Sequence, residues 1–298
     1  MRNARTSFLN RPVQRGSISF RRGLTCVLAG VLAAAAQSAW AEEPAAQDPA
    51  NVCRTMWFPR GARIQMEADG TMPLSRRAIL KPPLPTDAGC QADIEIHSKT
   101  ALAALMGPPV VTEQQQRVLL RPAEHGSPAS VSGQATVNAW GRYARLYGTT
   151  TVDGLGLFDY QYRGLPLREG DVLPGQSVDA SASFTIFSRD SGEEVGKFVA
   201  PHATVSVTSR RVGKREFIRT ALGRSECVPI EYVRTTSLGP MVVAGDQIAT
   251  KPTRMQVTDW YCPTRGMVMR QDVSEDGKVQ HIETTVVEPL SDASDPAQ

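Results

Sequence analysis

From Val131 onward, apolar and polar positions alternate residue by residue. Ala135, Val137 and Ala139 are interleaved with Gln134, Thr136 and Asn138, and Phe158, Tyr160 and Tyr162 with Asp159, Gln161 and Arg163. The run Val178-Asp179-Ala180-Ser181-Ala182-Ser183-Phe184-Thr185-Ile186 is the cleanest, apolar on one face and polar on the other. A period of two puts successive side chains on opposite faces, so each run predicts a half-buried β-strand. Turn signals separate the runs: Asp153-Gly154, Arg163-Gly164, Asp190-Ser191-Gly192, Val212-Gly213-Lys214 and Glu275-Asp276-Gly277. No helical pattern of the length that a parallel crossover needs lies between them. The pattern therefore predicts a mainly β chain, an antiparallel meander over residues 131–288, and not an α/β enzyme fold.

Two stretches organise this region. Ser225-Glu226-Cys227-Val228-Pro229-Ile230-Glu231-Tyr232 reads as a buried strand carrying a cysteine. Asp259-Trp260-Tyr261-Cys262-Pro263-Thr264-Arg265-Gly266-Met267-Val268 reads as a strand that ends in a Pro/Gly turn with a second cysteine at the bend. They are expected to be neighbours in one antiparallel sheet. Trp260 and Cys262 fall on one face and Tyr261 on the other. Pro263 cannot donate to the ladder, and Gly266 permits the reversal.

The preceding segment, 53–130, predicts a small mixed N-terminal region. Ile64–Met66 and Ala78–Leu80 read as short strands, and Lys81-Pro82-Pro83-Leu84-Pro85 as a rigid extended run. Ser98 is placed to cap a helix running through Met106, stopped by Gly107-Pro108-Pro109. Thr112–Leu120 suits a second helix or a strand, and Ala123–Ser130 has the composition of a linker. Residues 42–52 are expected to be a disordered lead and residues 289–298 a loose tail.

The first 41 residues carry a signal-peptide pattern. Arg2, Arg5, Arg11, Arg15, Arg21 and Arg22 precede an apolar run from Leu24 to Ala36 that is too short to span a bilayer, and Ala39-Trp40-Ala41 is a small-x-small cleavage site. Cys26 lies at the start of that run, in a poor lipobox. Ser19-Phe20-Arg21-Arg22-Gly23-Leu24 has some twin-arginine character, but a general secretory signal with a long basic region fits better. Cleavage near Ala41 predicts a periplasmic protein and changes the charge. The whole chain has 33 basic and 30 acidic residues, and the mature one 27 against 30. A nearly neutral protein gives no global electrostatic case for nucleic acid. No later stretch is long and apolar enough to be a transmembrane span.

Four cysteines remain, an even number in an oxidising compartment, which favours disulfides. Of the three pairings, local closure (Cys53–Cys90 and Cys227–Cys262) gives two loops of similar length. No Cys-x-x-Cys or His-x-x-x-His spacing suggests a metal.

Leu165-Pro166-Leu167-Arg168-Glu169-Gly170-Asp171, Arg211-Val212-Gly213-Lys214-Arg215-Glu216, Ala221-Leu222-Gly223 leading into Cys227-Val228-Pro229-Ile230-Glu231, and Trp260-Tyr261-Cys262-Pro263-Thr264-Arg265-Gly266-Met267-Val268 follow in order. Over about residues 131–288 this resembles a family of uncharacterised exported bacterial β-proteins, some of them called TapB-like. The resemblance implies a curved antiparallel sheet, akin to lipoprotein-carrier half-barrels, and no activity. Cys262 departs from the motif and supports a local bridge to Cys227.

Candidate chemistry is sparse. There is no nucleophile elbow of the Gly-x-Ser-x-Gly kind, and His97, His125, His202 and His281 are scattered. No dinucleotide or phosphate-loop fingerprint occurs, so no cofactor is expected. Trp140, Tyr160, Tyr162 and Trp260 are candidates to line the concave face of a curved sheet and hold an apolar ligand. Arg210, Arg211, Lys214 and Arg215 form a basic stretch suited to an anionic lipid or glycan, or to guarding a sheet edge. The expected function is non-enzymatic: binding or scaffolding a cell-envelope component. The alternative is an assembly partner pairing through a strand edge, and a hydrolase comes third.

Overall fold

The alternating runs become strands of one antiparallel sheet. The computed structural model describes residues 53, 58–68, 74–100, 106–107, 109–121, 130–154, 162, 165–275 and 277–290. The strands are β1 (Ala62–Ala68), β2 (Leu74–Leu80), β3 (Leu84–Thr86), β4 (Gly89–Thr100), β5 (Val110–Arg121), β6 (Ser130–Trp140), β7 (Ala144–Gly154), β8 (Val172–Leu173) and β9 (Gln176–Ser188). They continue as β10 (Glu194–Val207), β11 (Arg210–Val212), β12 (Glu216–Thr220), β13 (Gly223–Ser237), β14 (Pro240–Val243), β15 (Asp246–Ala249), β16 (Thr253–Cys262), β17 (Met267–Glu275) and β18 (Lys278–Pro289).

Twelve of these follow one another in a ring: β1, β2, β4, β5, β6, β7, β9, β10, β13, β16, β17 and β18. The ring closes because β18 pairs with β1, from Ala62 opposite Pro289 to Ala68 opposite Ile282. The sheet is a closed twelve-stranded barrel, not the expected half-barrel. The reason lies in residues 62–121, which supply four staves (β1, β2, β4, β5) where a separate mixed region was expected. Ser98 sits in β4, and Thr112–Leu120 is β5, a strand and not a helix. The strand pattern there is masked because Gln114 and Gln116 occupy the inward positions between Val110 and Val118. The helix expected beyond Ser98 falls mostly on residues outside those described, as do the leader, the lead at 42–52, most of the linker before Ser130, the strand around Phe158 and Tyr160, and most of the tail.

Directly opposed residues in an antiparallel pair share a face. One unbroken row of such pairs runs Ile64, Ala78, Ile96, Gln114, Val137, Gly148, Phe184, Phe198. A second runs Ile230, Asp259, Gln271, Ile282, Ala68. Ile64, Ala78, Ile96, Val137 and Ile230 are buried, so this face is the barrel interior. The opposite face is charged, with pairs at Arg63–Glu288 (3.5 Å), Lys81–Glu95 (2.9 Å) and Arg117–Asp93 (3.0 Å). That is the reverse of a membrane-spanning barrel, whose outer band is apolar. Among the described residues no helix is long and apolar enough to cross a membrane.

Gly148 shows how the wall curves. A Cβ there would strike the carbonyl oxygen of Ser183 and the ring of Phe184, so the neighbouring strand and its aromatic lie directly over the glycine.

Strand direction sorts the loops into two ends. One end holds the starts of β1, β4 and β9 and the finish of β2, β7, β10 and β16. Both disulfides, Cys53–Cys90 and Cys227–Cys262, lie at that end. The second spans the opposed strands β13 and β16, whose register runs from Val228 opposite Tyr261 to Thr236 opposite Thr253. Two core clusters fill the same end, one around Ile64, Leu80, Met267 and Met269 and the other around Tyr162, Leu167, Ile230 and Tyr261.

Candidate functional site

The sealed end is built around a buried acid. Asp259 is fully buried on the inward face of β16, between Val257 and Tyr261. A carboxylate survives there only if its oxygens are hydrogen-bonded. The Tyr162 hydroxyl donates to Oδ2 at 2.8 Å and Gln271 Nε2 donates to Oδ1 at 2.7 Å. Tyr162 itself is fully buried and reaches in from a turn, not a strand, held where Leu165 N donates to its carbonyl at 3.2 Å. Its ring meets Tyr261 edge-on at 5.7 Å, and the guanidinium of Arg210 lies 5.5 Å from the ring centre.

Arg210 is buried and donates to the carbonyl of Pro174 at 3.1 Å. Among the described residues no group meets the Tyr232 hydroxyl at good hydrogen-bonding geometry, and Asp259 is the acid that acts on it. Burial first, and the charge of Asp259 second, push both Tyr162 and Tyr232 well above the ordinary tyrosine range. Their folded pKa values thus exceed the unfolded value near 10. The stability they contribute is complete below pH about 10 and falls as pH rises above it, because the unfolded chain ionises where the folded one does not. An ultraviolet titration should show at least two of the six tyrosines ionising only as the fold opens. Six tyrosines titrating reversibly near pH 10 with the fold intact would contradict this burial.

The structure separates the aromatic candidates. Tyr162 plugs the interior, Tyr160 lies outside the described residues, and Trp140 and Trp260 are on the outer face. Trp260 Nε1 donates to Asp272 at 2.8 Å, Arg270 stacks on its ring at 4.9 Å, and His281 Nδ1 lies 2.6 Å from the same carboxylate. The basic set is likewise divided. Arg210 points inward, Arg211 is exposed on the opposite face of β11, and Lys214 and Arg215 are exposed beyond it. Arg215 lies 3.8 Å from Glu226. Four adjacent charges do not make one patch when strand alternation sends one of them inside.

At the opposite end the interior is less full. Leu146, Thr150, Ala182, Phe184, Ile186 and Phe198 all face inward and are only half-buried. Phe184 and Phe198 stack at 5.9 Å across β9 and β10. Met106, Val110 and Ala139 fill one corner of this end, under β5 and β6. Of these, Ala182, Phe184 and Ile186 were legible as strand positions, and none as a site, because alternation alone does not tell a packed interior from an open one.

Against known proteins the chain is similar in structure to an exported protein with YmcC-like fold from Bacteroides fragilis NCTC 9343, at 10% identity and a TM-score of 0.37, covering 76% of this chain and 95% of that one. It is also similar to a lipoprotein from Parabacteroides distasonis ATCC 8503, at 9% identity and a TM-score of 0.34, covering 78% and 98%. No family model matches the chain, so the TapB-like resemblance rests on the short motifs alone. No curated protein matches it.

Proposed function

We propose that this is an exported, non-enzymatic binding protein of the periplasm, whose barrel takes an apolar or lipid-like component of the cell envelope through its less-filled end. The observation that carries the reading is the half-buried state of the inward row Leu146, Thr150, Ala182, Phe184, Ile186 and Phe198. About eight strands make a barrel whose side chains just fill it, and twelve enclose more. The surplus is taken up by Tyr162 and Leu167 at one end; at the other the lining reaches solvent. Mostly apolar walls with a few polar groups (Thr150, Gln114 and Gln116) suit a largely apolar ligand.

A solvatochromic naphthylamine probe tests the reading. It should brighten on the wild type, and Ala182→Trp, which fills the space between Thr150 and Ala200, should weaken uptake at least about tenfold. Trp260→Phe on the outer wall should leave uptake unchanged. Equal uptake by the Ala182→Trp protein, or none by the wild type, would remove the reading. Edge pairing has a narrower basis, since closure pairs both edges of every stave; what remains are short strands outside the ring, such as the four-residue β15 hydrogen-bonded to β14.

A further inference from the structure

At the sealed end, outside the proposed lumen site, a cavity of about 500 Å³ is lined by Arg168, Arg215 and Arg265 together with Leu165, Tyr261 and Pro263. The three arginines come from three separate places: the loop before β8, the β11–β12 connection and the β16–β17 turn. Among the described residues no carboxylate lines the cavity. Two of these guanidinium groups have loose partners: Arg215 meets Glu226 at 3.8 Å with both side chains about half exposed, and Arg265 reaches the Leu222 carbonyl at 3.5 Å. Exposed contacts of this kind hold little of the charge in place.

The backbone beneath the arginines is, by contrast, fixed. Arg265 N and Gly266 N both donate to the Cys262 carbonyl at 2.9 Å, Gly266 takes the left-handed conformation (φ 68°), and Cys262 is bridged to Cys227. On the facing loop Leu167 is anchored in the core, and Arg168 N donates to Asp171 Oδ2 at 2.8 Å. Two of the three cations, Arg168 and Arg265, thus stand on held backbone, and all three border one concavity, an arrangement suited to an anion.

We infer that this cavity binds a phosphomonoester, its dianion shared among Arg168, Arg215 and Arg265 and its organic body against Leu165 and Tyr261. A planar carboxylate is satisfied by one guanidinium fork. A tetrahedral dianion has oxygens enough for guanidinium groups arriving from several directions. The volume falls in the range of small-molecule sites. The phosphomonoester can belong to a free metabolite or to a lipid headgroup, and the two sources separate in the test.

Calorimetric titration of the full mature protein with phenyl phosphate should show saturable binding that weakens as salt is raised. Benzoate should bind at least about tenfold more weakly. Arg168→Gln and Arg265→Gln should each weaken phenyl phosphate about tenfold without moving the melting temperature, since both side chains are exposed. Arg211→Gln, on a different wall, should not change it. Flotation with phosphatidylcholine vesicles, with and without phosphatidic acid, gives the second arm: capture that depends on phosphatidic acid and on Arg265 assigns the headgroup, and phenyl phosphate binding without capture assigns a soluble ester. Equal affinity for benzoate, indifference to both arginine substitutions, or no binding in either arm overturns the inference.

Discussion

Asp259→Ala is expected to lower folding stability by about 3–5 kcal/mol, the cost of deleting one member of a buried polar network that includes charge. The alanine leaves the Tyr162 hydroxyl and Gln271 Nε2, both now bonded to the carboxylate, without their acceptor in a fully buried place. It also removes the anion from a region that holds the buried guanidinium of Arg210 beside Tyr162. In a domain of this size the loss corresponds to a fall in Tm of roughly 6–20 °C. Asp259→Asn keeps an acceptor for the tyrosine and should cost less. Asp272→Ala, on the outer wall, frees Trp260, Arg270 and His281 toward solvent and should cost less again. A melt for Asp259→Ala within a degree or two of the wild type would show that the plug does not depend on this carboxylate.

Reducing both disulfides should have the second large effect. The bridges close segments 37 and 35 residues apart. On the chain-entropy estimate, each contributes about 3–4 kcal/mol by restricting the unfolded chain. Both sit at the sealed end, one between β13 and β16 and one tying Cys53 to β4, so dithiothreitol should loosen that end first. Amide exchange should accelerate in β16 and β17 near the Cys262–Met267 turn before it does in β6 and β7. The double variant Cys227→Ser/Cys262→Ser isolates one bridge. A melting curve that dithiothreitol leaves unchanged would remove the disulfide framework from the account.

The strands after Val131 were readable because their inward positions are apolar and their outward ones polar: Val178 to Ile186 is the clear case, and it forms β9. The same rule failed at β5 for a physical reason. Gln114 and Gln116 face inward, so the contrast between faces vanishes and helix and strand look alike. Leaving β5 undecided between helix and strand, and giving the stretch beyond Ser98 to a helix, also hid closure, since the ring needs all four staves from residues 62–121. Asp259 did not stand out in the sequence; the signal for it is a carboxylate between Val257 and Tyr261 on the apolar face of its strand, a position that calls for partners without naming them. Tyr162 lies 97 residues from Asp259, and that contact follows from the barrel, not from local pattern. The arginine cavity was half legible: Arg215 belonged to the basic stretch, whereas Arg168 and Arg265 join it through chain reversals that spacing does not reveal.

The central claim is that a twelve-stranded wall, locked at one end, leaves room inside for a guest. Native mass spectrometry of the protein, purified gently from the cells that make it, addresses that claim most directly. The account predicts a one-to-one adduct that organic solvent extracts, present on the wild type and absent from the Ala182→Trp protein. A bare polypeptide mass for the wild type, or an adduct carried equally by Ala182→Trp, would contradict it.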